Sequence, residues 1–184
     1  RANRVFAGAR EQQQFALLDE WHRASFQQGW ANLMRLAWDI GDIALTWAAE
    51  RIPYMHGREF DDSARAGAFL NSEDKICGVV VFHDWQPEYG TIQVSAVATD
   101  PKWMHAHRLW AELFDYAYQT CGAQKIWTLT PHTNKRALRF IKALGFAPEA
   151  ILEGQFGPHG HAVFSAKWRD VHYAHLSVQS EAVH

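Results

Sequence analysis

Strands and helices alternate through the second half of this chain, and that order limits the possible folds more than any other feature. Residues 76–83 form an unbroken apolar run, which is typical of a strand buried on both faces. A second strand is predicted over 91–99, a helix over 104–121 and a third strand over 125–130. Another helix follows Asn134, and strands at 149–156 and 161–168 end the pattern, joined by Gly-Pro-His-Gly at 157–160. This order predicts an α/β fold with a mixed central β-sheet flanked by helices.

The pattern before residue 76 is less regular. Residues 32–38 could form a first strand, and a helix follows that Asp39 caps and Pro53 ends. Residues 54–60 are predicted as a loop and 61–71 as a short second helix. The complete predicted order is therefore β-α-α-β-β-α-β-α-β-β.

The chain divides into three parts by composition. Residues 1–31 are rich in Gln and Arg and carry a loose apolar stripe, which predicts a helix over 11–29 that packs on the main domain or on a protein partner. Residues 32–170 hold the alternating elements and form the predicted domain, and 171–184 form a polar tail.

Charge and composition exclude several classes of function. The formal net charge is -2, so there is no electrostatic case for binding nucleic acid or an anionic membrane. No run approaches the ~20 apolar residues that cross a bilayer. Cys77 and Cys121 could form one disulfide, but two buried free thiols in a reducing compartment are favoured, which predicts a cytoplasmic protein.

Four stretches in this order resemble the GNAT superfamily of N-acetyltransferases, in a branch known from phages and proteobacteria. Residues 47–53 (Trp-Ala-Ala-Glu-Arg-Ile-Pro) resemble an early helix end of that branch, and 78–85 (Gly-Val-Val-Val-Phe-His-Asp-Trp) its second strand. Residues 92–98 followed by Trp103 are similar to the acetyl-CoA strand. The most specific match is 134–146 (Asn-Lys-Arg-Ala-Leu-Arg-Phe-Ile-Lys-Ala-Leu-Gly-Phe), similar to the family's Asn…Ala…Gly-Phe helix.

The resemblance implies an acetyl-CoA-dependent N-acyltransferase that moves an acetyl group directly to an amine of a protein or small molecule. Strands 91–99 and 125–130 would part in a V, where unpaired backbone groups bind the pantetheine arm. The pyrophosphate would lie at the start of the 104–121 helix. The implied cofactor-binding residues are Val97, Ala98, Thr99, Trp103, His105, His107, Arg108, Asn134, Ala137 and Phe140.

Two departures from the family pattern concern the cofactor. The family's pyrophosphate loop contains glycines, whereas residues 102–108 (Lys-Trp-Met-His-Ala-His-Arg) contain none. Many members also carry a tyrosine near the position of Phe140 that protonates the leaving thiolate, and phenylalanine has no proton to give. An active protein would lose the thiolate unaided or would use another donor.

Four residues are candidates for the base that deprotonates the acceptor amine. His83 has a suitable intrinsic pKa, Ser95 could act through a water, as could Gln93, and Glu153 lies near a strand end. The alternatives are a strand-end histidine bonded to a backbone carbonyl and a solvated surface glutamate. For Asn134 the alternative is a plain helix cap.

Eleven histidines raise the question of a metal site. The close pairs are 105 with 107, 159 with 161, and 172 with 175, but only 159 and 161 could share a face of a strand. No zinc-binding spacing accompanies them, so no metal is predicted.

A non-catalytic role stays open beside the enzyme. GNAT-like domains also occur as structural or interaction parts of phage particles, and the glycine-free loop and Phe140 suit a domain that kept the fold without the chemistry. An open V would favour the enzyme, and side chains of Trp103 or Trp127 filling it would favour the structural role. The predicted partners are acetyl-CoA and an amine acceptor. A protein bound through residues 1–31 and further copies of the chain stay open as partners.

Overall fold

One seven-stranded sheet runs through the residues that the computed structural model describes, 34–55 and 58–173. Its order is β1-β2-β3-β4-β5-β7-β6, and every neighbouring pair is antiparallel except β4 and β5. The strands are β1 (Arg35–Ala37), β2 (Arg65–Leu70), β3 (Ile76–Gln86), β4 (Thr91–Ala98), β5 (Lys125–Pro131), β6 (Ala147–Leu152) and β7 (Ala162–Trp168). The helices are α1 (Gly41–Arg51), α2 (His107–Asp115) and α3 (Lys135–Ala143). The predicted mixed sheet flanked by helices is confirmed.

The apolar run of β3 serves two cores because successive strand residues point to opposite faces. Val79 and Val81 pack with Ala44 and Ala48 of α1 on one face. Val80, with the other alternate residues of β3, packs on the opposite face among side chains from α2. A strand covered on both faces needs no polar positions, which explains its continuous apolar sequence.

The helix predicted over 61–71 is wrong, because this segment contains β2. Residues 66–70 are all buried between β1 and β3, and a short, fully buried strand cannot be told from a buried helix by periodicity. Gly67 is needed there, since a Cβ atom would lie 2.7 Å from Cδ2 of Leu113 on α2.

Three predicted element boundaries also differ from the structure. Asp39 does not cap α1; Ile40 occupies the N-cap position and no side chain closes the helix start. The sixth strand ends at Leu152 rather than 156, and the connection to β7 spans 153–161. Gly154 and Gly157 adopt positive φ angles of 68° and 97° in that connection, so the chain turns earlier than the Gly-Pro-His-Gly motif indicates.

The long helix predicted over 104–121 consists of three helical types in succession. A 3-10 turn at Pro101–His105 precedes α2, and a wider π-type turn at Tyr116–Thr120 follows it. The predicted apolar stripe is confirmed, since Leu109, Trp110, Leu113 and Phe114 are buried. Gly122, at φ 73°, ends the segment as predicted.

Several predictions fall on residues outside the described part of the chain. The N-terminal extension at 1–31 and its helix over 11–29 lie there, as do residues 174–184 of the predicted tail. Cys77 and Cys121 are both free thiols. No helix in 34–55 or 58–173 has the length and apolar character needed to span a membrane.

Candidate functional site

The central feature of the site is a gap between β4 and β5. The two strands pair at only three positions, from Thr91 with Lys125 to Gln93 with Trp127. Beyond Gln93, β4 continues beside β3 as far as Ala98, while β5 continues beside β7 as far as Pro131. The strands therefore separate in the V that the resemblance predicted.

Backbone hydrogen bonds show which peptide groups of β4 face this gap. The Thr99 N–H donates to the Cys77 carbonyl on the β3 side at 2.9 Å, and the Gly90 carbonyl accepts from Gln124 and Lys125 on the β5 side. The peptide groups of successive strand residues point to opposite edges of the strand, so those of Ala96 and Ala98 point into the gap. Val97 and Thr99 border the site, but their backbone groups belong to the β3 side.

A cavity of about 790 Å³ occupies the gap and extends along α3. This volume lies within the range of small-molecule and cofactor sites. Seven of the implied cofactor residues line it: Val97, Ala98, Thr99, Trp103, Asn134, Ala137 and Phe140. His105, His107 and Arg108 are not among the lining residues, whereas Arg136 is.

The glycine-free loop before α2 uses several of its amides within itself. The Asp100 side chain accepts from the Lys102 N–H at 2.8 Å, and the Trp103 carbonyl accepts from the Ala106 N–H at 3.2 Å. The Ala106 carbonyl in turn accepts the N–H groups of the third and fourth residues of α2, at 3.0 and 3.1 Å. The Lys102 and Ala106 amides are used within the loop, so it offers a bound phosphate fewer donors than an open glycine-rich nest.

Trp103 holds this loop against the sheet. Its ring is buried and packs on Phe69 and Trp110, and its carbonyl accepts a 3.0 Å hydrogen bond from the Trp110 indole. Gly78 on β3 provides the space, because a Cβ atom there would lie 2.8 Å from Cε3 of Trp103. Trp103 lines the cavity, which stays open beside it.

The start of α3 places positive charge beside the cavity, which Arg58 also lines. Asn134 caps the helix by accepting from the Ala137 N–H at 3.1 Å, as predicted. The helix sequence contains four cationic residues and no acidic one, and Arg136 is the one that lines the cavity. Cationic residues oppose the dipole at a helix start, so this charge is there at some cost to helix stability.

Phe140 forms an apolar wall of the cavity. Its ring lies 5.7 Å from the Trp103 ring and 5.3 Å from the Trp110 ring, centroid to centroid. It offers aromatic surface at the position where a proton donor is common in the family, so any donor of a proton in this site must come from another element.

Three polar side chains form a connected chain on the α1 face of the sheet. The Tyr54 hydroxyl lies 2.9 Å from the Ser95 hydroxyl, which lies 2.9 Å from Nε2 of His83. Ser95 is buried, and Tyr54 and Ser95 line the cavity, while His83 lies behind them. Burial lowers the pKa of His83, against the raising effect of the Asp61 and Asp84 carboxylates. The imidazole is therefore neutral at neutral pH and can accept a proton.

Tyr54 is a site residue that the sequence did not reveal. It follows Pro53 in a segment predicted only as a loop, and no motif or periodicity distinguishes it. Glu153, by contrast, is exposed in the connection between β6 and β7 and does not line the cavity. Across the described residues, no group of three or more His, Cys, Asp or Glu is arranged to hold a metal ion.

Two central strands that part around an open cavity define a protein that can hold an extended ligand between them. The profile of the acetyltransferase (GNAT) family matches residues 15–146. The chain therefore belongs to the GNAT family of acetyltransferases.

Solved structures share the fold. The spermidine/spermine N-acetyltransferase SpeG from Vibrio cholerae in complex with manganese ions is 13% identical, with a TM-score of 0.60 over 76% of this chain and 95% of that one. A dodecameric structure of spermidine N-acetyltransferase from Vibrio cholerae is 14% identical, with a TM-score of 0.59 over the same shares. A mutant form of SpeG is 16% identical, with a TM-score of 0.54 over 61% of this chain and 68% of that one. At these identities the likeness shows the fold alone. A search of curated protein sequences finds no match.

Proposed function

We propose that this chain is an N-acyltransferase that moves an acetyl group from acetyl-CoA to an amine by direct attack in a ternary complex. The observation that carries the proposal is the gap between β4 and β5, which opens into a cavity of about 790 Å³. The peptide groups of Ala96 and Ala98 face this gap, and the amides of a pantetheine arm can bond to them as an added strand would. Membership of the acetyltransferase family supports this use of the gap.

We place the donor along α3 rather than along α2. Ala137 and Phe140 provide an apolar wall for the pantetheine arm, and Asn134 and Arg136 border the same cavity at the helix start. The phosphates then lie beside Arg136, because Arg108 does not line the cavity and the loop before α2 bonds several of its amides internally. A guanidinium can hold a phosphate through paired charge-assisted hydrogen bonds.

His83 is the proposed base, acting through Ser95, to which it is hydrogen-bonded. The acceptor ammonium first loses one proton to His83, the neutral nitrogen then forms a bond to the acetyl carbon, and the carbon–sulfur bond breaks. The second proton, which the nitrogen loses on becoming an amide, goes to the thiolate once it has left. The sulfur leaves as a thiolate, since Phe140 cannot protonate it. Glu153 has no proposed part in this chemistry because it lies outside the cavity.

The acceptor is an amine whose identity must come from a screen. The solved structures with this fold include spermidine N-acetyltransferases, so spermidine is the first acceptor to test. A peptide with an internal lysine and a peptide with a free N-terminus complete the panel and represent protein acceptors.

A non-catalytic GNAT-like domain, such as a component of a phage particle, is the second candidate. The internally bonded loop before α2 and the buried Trp103 favour it, because both reduce the usual pyrophosphate site. The open cavity favours the enzyme, since a domain without a ligand has no reason to keep such a gap between paired strands.

Isothermal titration with acetyl-CoA separates the two candidates, with desulfo-CoA and ATP as controls. The proposal expects micromolar binding that desulfo-CoA retains and ATP lacks. Arg136→Ala should weaken acetyl-CoA binding by about tenfold, the value of one charge-assisted hydrogen bond, while Arg108→Ala should change it less than about twofold. No binding at millimolar acetyl-CoA would exclude the enzyme, and equal effects of the two substitutions would contradict the placement along α3.

A further inference from the structure

We infer that Tyr54 is the residue that takes the proton from the acceptor amine and passes it through Ser95 to His83. This inference rests on the proposed acetyl transfer and names the group that contacts the acceptor. Tyr54 lies outside the sheet, in the segment that follows α1, and its hydroxyl is hydrogen-bonded to Ser95 of β4 in the lining of the cavity.

The positions of the three residues make an intermediary necessary. His83 is the only one of them that does not line the cavity, so an amine bound there meets Ser95 or Tyr54 first. Ser95 is 3% exposed and its hydroxyl is engaged by both neighbours, which leaves the Tyr54 hydroxyl as the outer end of the chain. The two hydrogen bonds of 2.9 Å form a continuous path from the cavity to the imidazole.

The transfer balances when His83 carries its own proton on Nδ1. Nε2 then accepts from the Ser95 hydroxyl, and the Ser95 oxygen accepts from the Tyr54 hydroxyl. The acceptor ammonium gives one proton to the Tyr54 oxygen while the Tyr54 proton moves to Ser95 and the Ser95 proton moves to Nε2, which leaves the neutral amine that attacks. One proton leaves the amine and one arrives on His83, and Tyr54 and Ser95 end with the charge they had at the start.

The surroundings act on both ends of this path. Burial raises the pKa of Tyr54, against the lowering effect of its Ser95 hydrogen bond. The Tyr54 hydroxyl therefore gives up its proton only as it receives another from the acceptor. Burial lowers the pKa of His83, and the Asp61 and Asp84 carboxylates oppose this effect by stabilising the imidazolium that forms. The Phe60 ring packs 5.2 Å from the His83 ring, centroid to centroid.

Tyr54 is also held in place. The Arg58 guanidinium donates to the Tyr54 carbonyl at 2.9 Å and to the Met55 carbonyl at 3.2 Å. The Phe156 ring, from the connection between β6 and β7, packs 5.4 Å from the Tyr54 ring. A fixed backbone and a packed ring keep the hydroxyl aimed at Ser95, as a proton path requires.

The test compares Tyr54→Phe with Tyr89→Phe, which removes the same hydroxyl from a side chain that is 75% exposed and away from the cavity. Steady-state acetyl transfer is measured at neutral pH to spermidine, to the lysine peptide and to hydroxylamine. The polyamine and the peptide carry ammonium groups that must lose one proton before the nitrogen can attack, whereas hydroxylamine is already neutral. The proton that every acceptor loses after attack goes to the departed thiolate and needs no protein base. Tyr54→Phe should lower kcat for the ammonium acceptors by about a hundredfold or more, the usual contribution of proton transfer. Its rate with hydroxylamine and its affinity for acetyl-CoA should stay within about threefold of the wild type.

Ser95→Ala and the Tyr54→Phe/Ser95→Ala double variant complete the test. Residues of one proton path act as a unit, so the double variant should be no slower than the slower single variant. The inference is overturned if Tyr54→Phe matches Tyr89→Phe with the ammonium acceptors, or if it slows hydroxylamine equally. Wild-type protein that binds acetyl-CoA but acetylates none of the three acceptors also overturns it, while leaving the donor site in place. Absence of acetyl-CoA binding instead rejects the proposed function as a whole.

Discussion

Lys167 provides the sharpest test of the energetics of this fold. Its side chain is buried beneath α3, where Nζ donates to the Leu144 carbonyl at 2.8 Å and lies 4.2 Å from the centre of the Phe114 ring. Burial lowers the pKa of Lys167 from 10.5 to about 7, against the raising effect of the Asp115 carboxylate. Replacing it by methionine, which has a similar shape and no charge, should change how stability depends on pH.

The sign follows from proton binding. Between pH 7 and 10.5 the unfolded chain holds a proton on Lys167 that the folded protein has largely lost, so folding releases a proton and stability rises with pH. Between pH 7 and 9 this single group adds about 2 kcal/mol to the free energy of unfolding. Above pH 9 the Cys77 thiol opposes this rise in stability, because burial raises its pKa from 9.0 to about 11. The folded protein then keeps a proton that the unfolded chain loses, so stability falls with pH. The useful window is therefore pH 7 to 9.

Urea unfolding at pH 7, 8 and 9 measures the effect. The free energy of unfolding of the wild type should gain about 2 kcal/mol more than that of Lys167→Met across this window. Lys75→Met is the matched control, since the Lys75 side chain is 74% exposed and its loss should leave the pH dependence unchanged. Parallel pH profiles for the wild type and Lys167→Met would refute the argument, because they would mean that Lys167 is protonated in the folded protein throughout.

Two further predictions concern the loop before α2 and the base. Gly78→Ala places a Cβ atom 2.8 Å from the buried Trp103 ring and should lower the free energy of unfolding by about 1–3 kcal/mol. The control is Gly41→Ala, which has no atom within 4 Å of the new Cβ and should change the free energy of unfolding by less than about 0.5 kcal/mol. An unchanged stability of Gly78→Ala would show that Trp103 can move. An NMR titration should give His83 a pKa below the ordinary value of about 6.5, and Asp61→Asn should lower it further because a carboxylate that favours the imidazolium is lost. An unchanged His83 pKa in Asp61→Asn would show that this carboxylate does not act on the imidazole.

The sequence alone is sufficient to predict the helices and strands that have a capping or a breaking residue at each end. α3 lies between its Asn134 cap and Gly145, and β5 lies between Gly122 and Pro131, so cap and breaker residues defined both. The 61–71 segment lacked such limits, and its small apolar residues suited a helix as well as the buried strand that forms. The strand identity of β2 comes from its two neighbours in the sheet, which no local pattern records.

Some residues of the candidate site can likewise be predicted from the sequence, and others only from the fold. Asn134 and Phe140 were found because they stand in a motif of fixed spacing, and both line the cavity. Tyr54 meets Ser95 across 41 positions of the chain, and only the fold brings the two hydroxyls together. The position of Arg108 after the loop predicts that it lies near the phosphates, but it does not line the cavity, and no local pattern distinguishes it from Arg136, which does.

The three-pair contact between β4 and β5 has a consequence for how the protein responds to its ligand. Past Gln93, β4 and β5 are no longer paired with each other, so the sheet is open at its centre. The central strands of a sheet are usually the most stable part of it. An extended ligand bonded to Ala96 and Ala98 would close that opening and act as an internal strand. Amide hydrogen exchange should then slow along both edges of the gap and on each side of it, so that the two halves of the sheet open as one cooperative unit only when the ligand is bound.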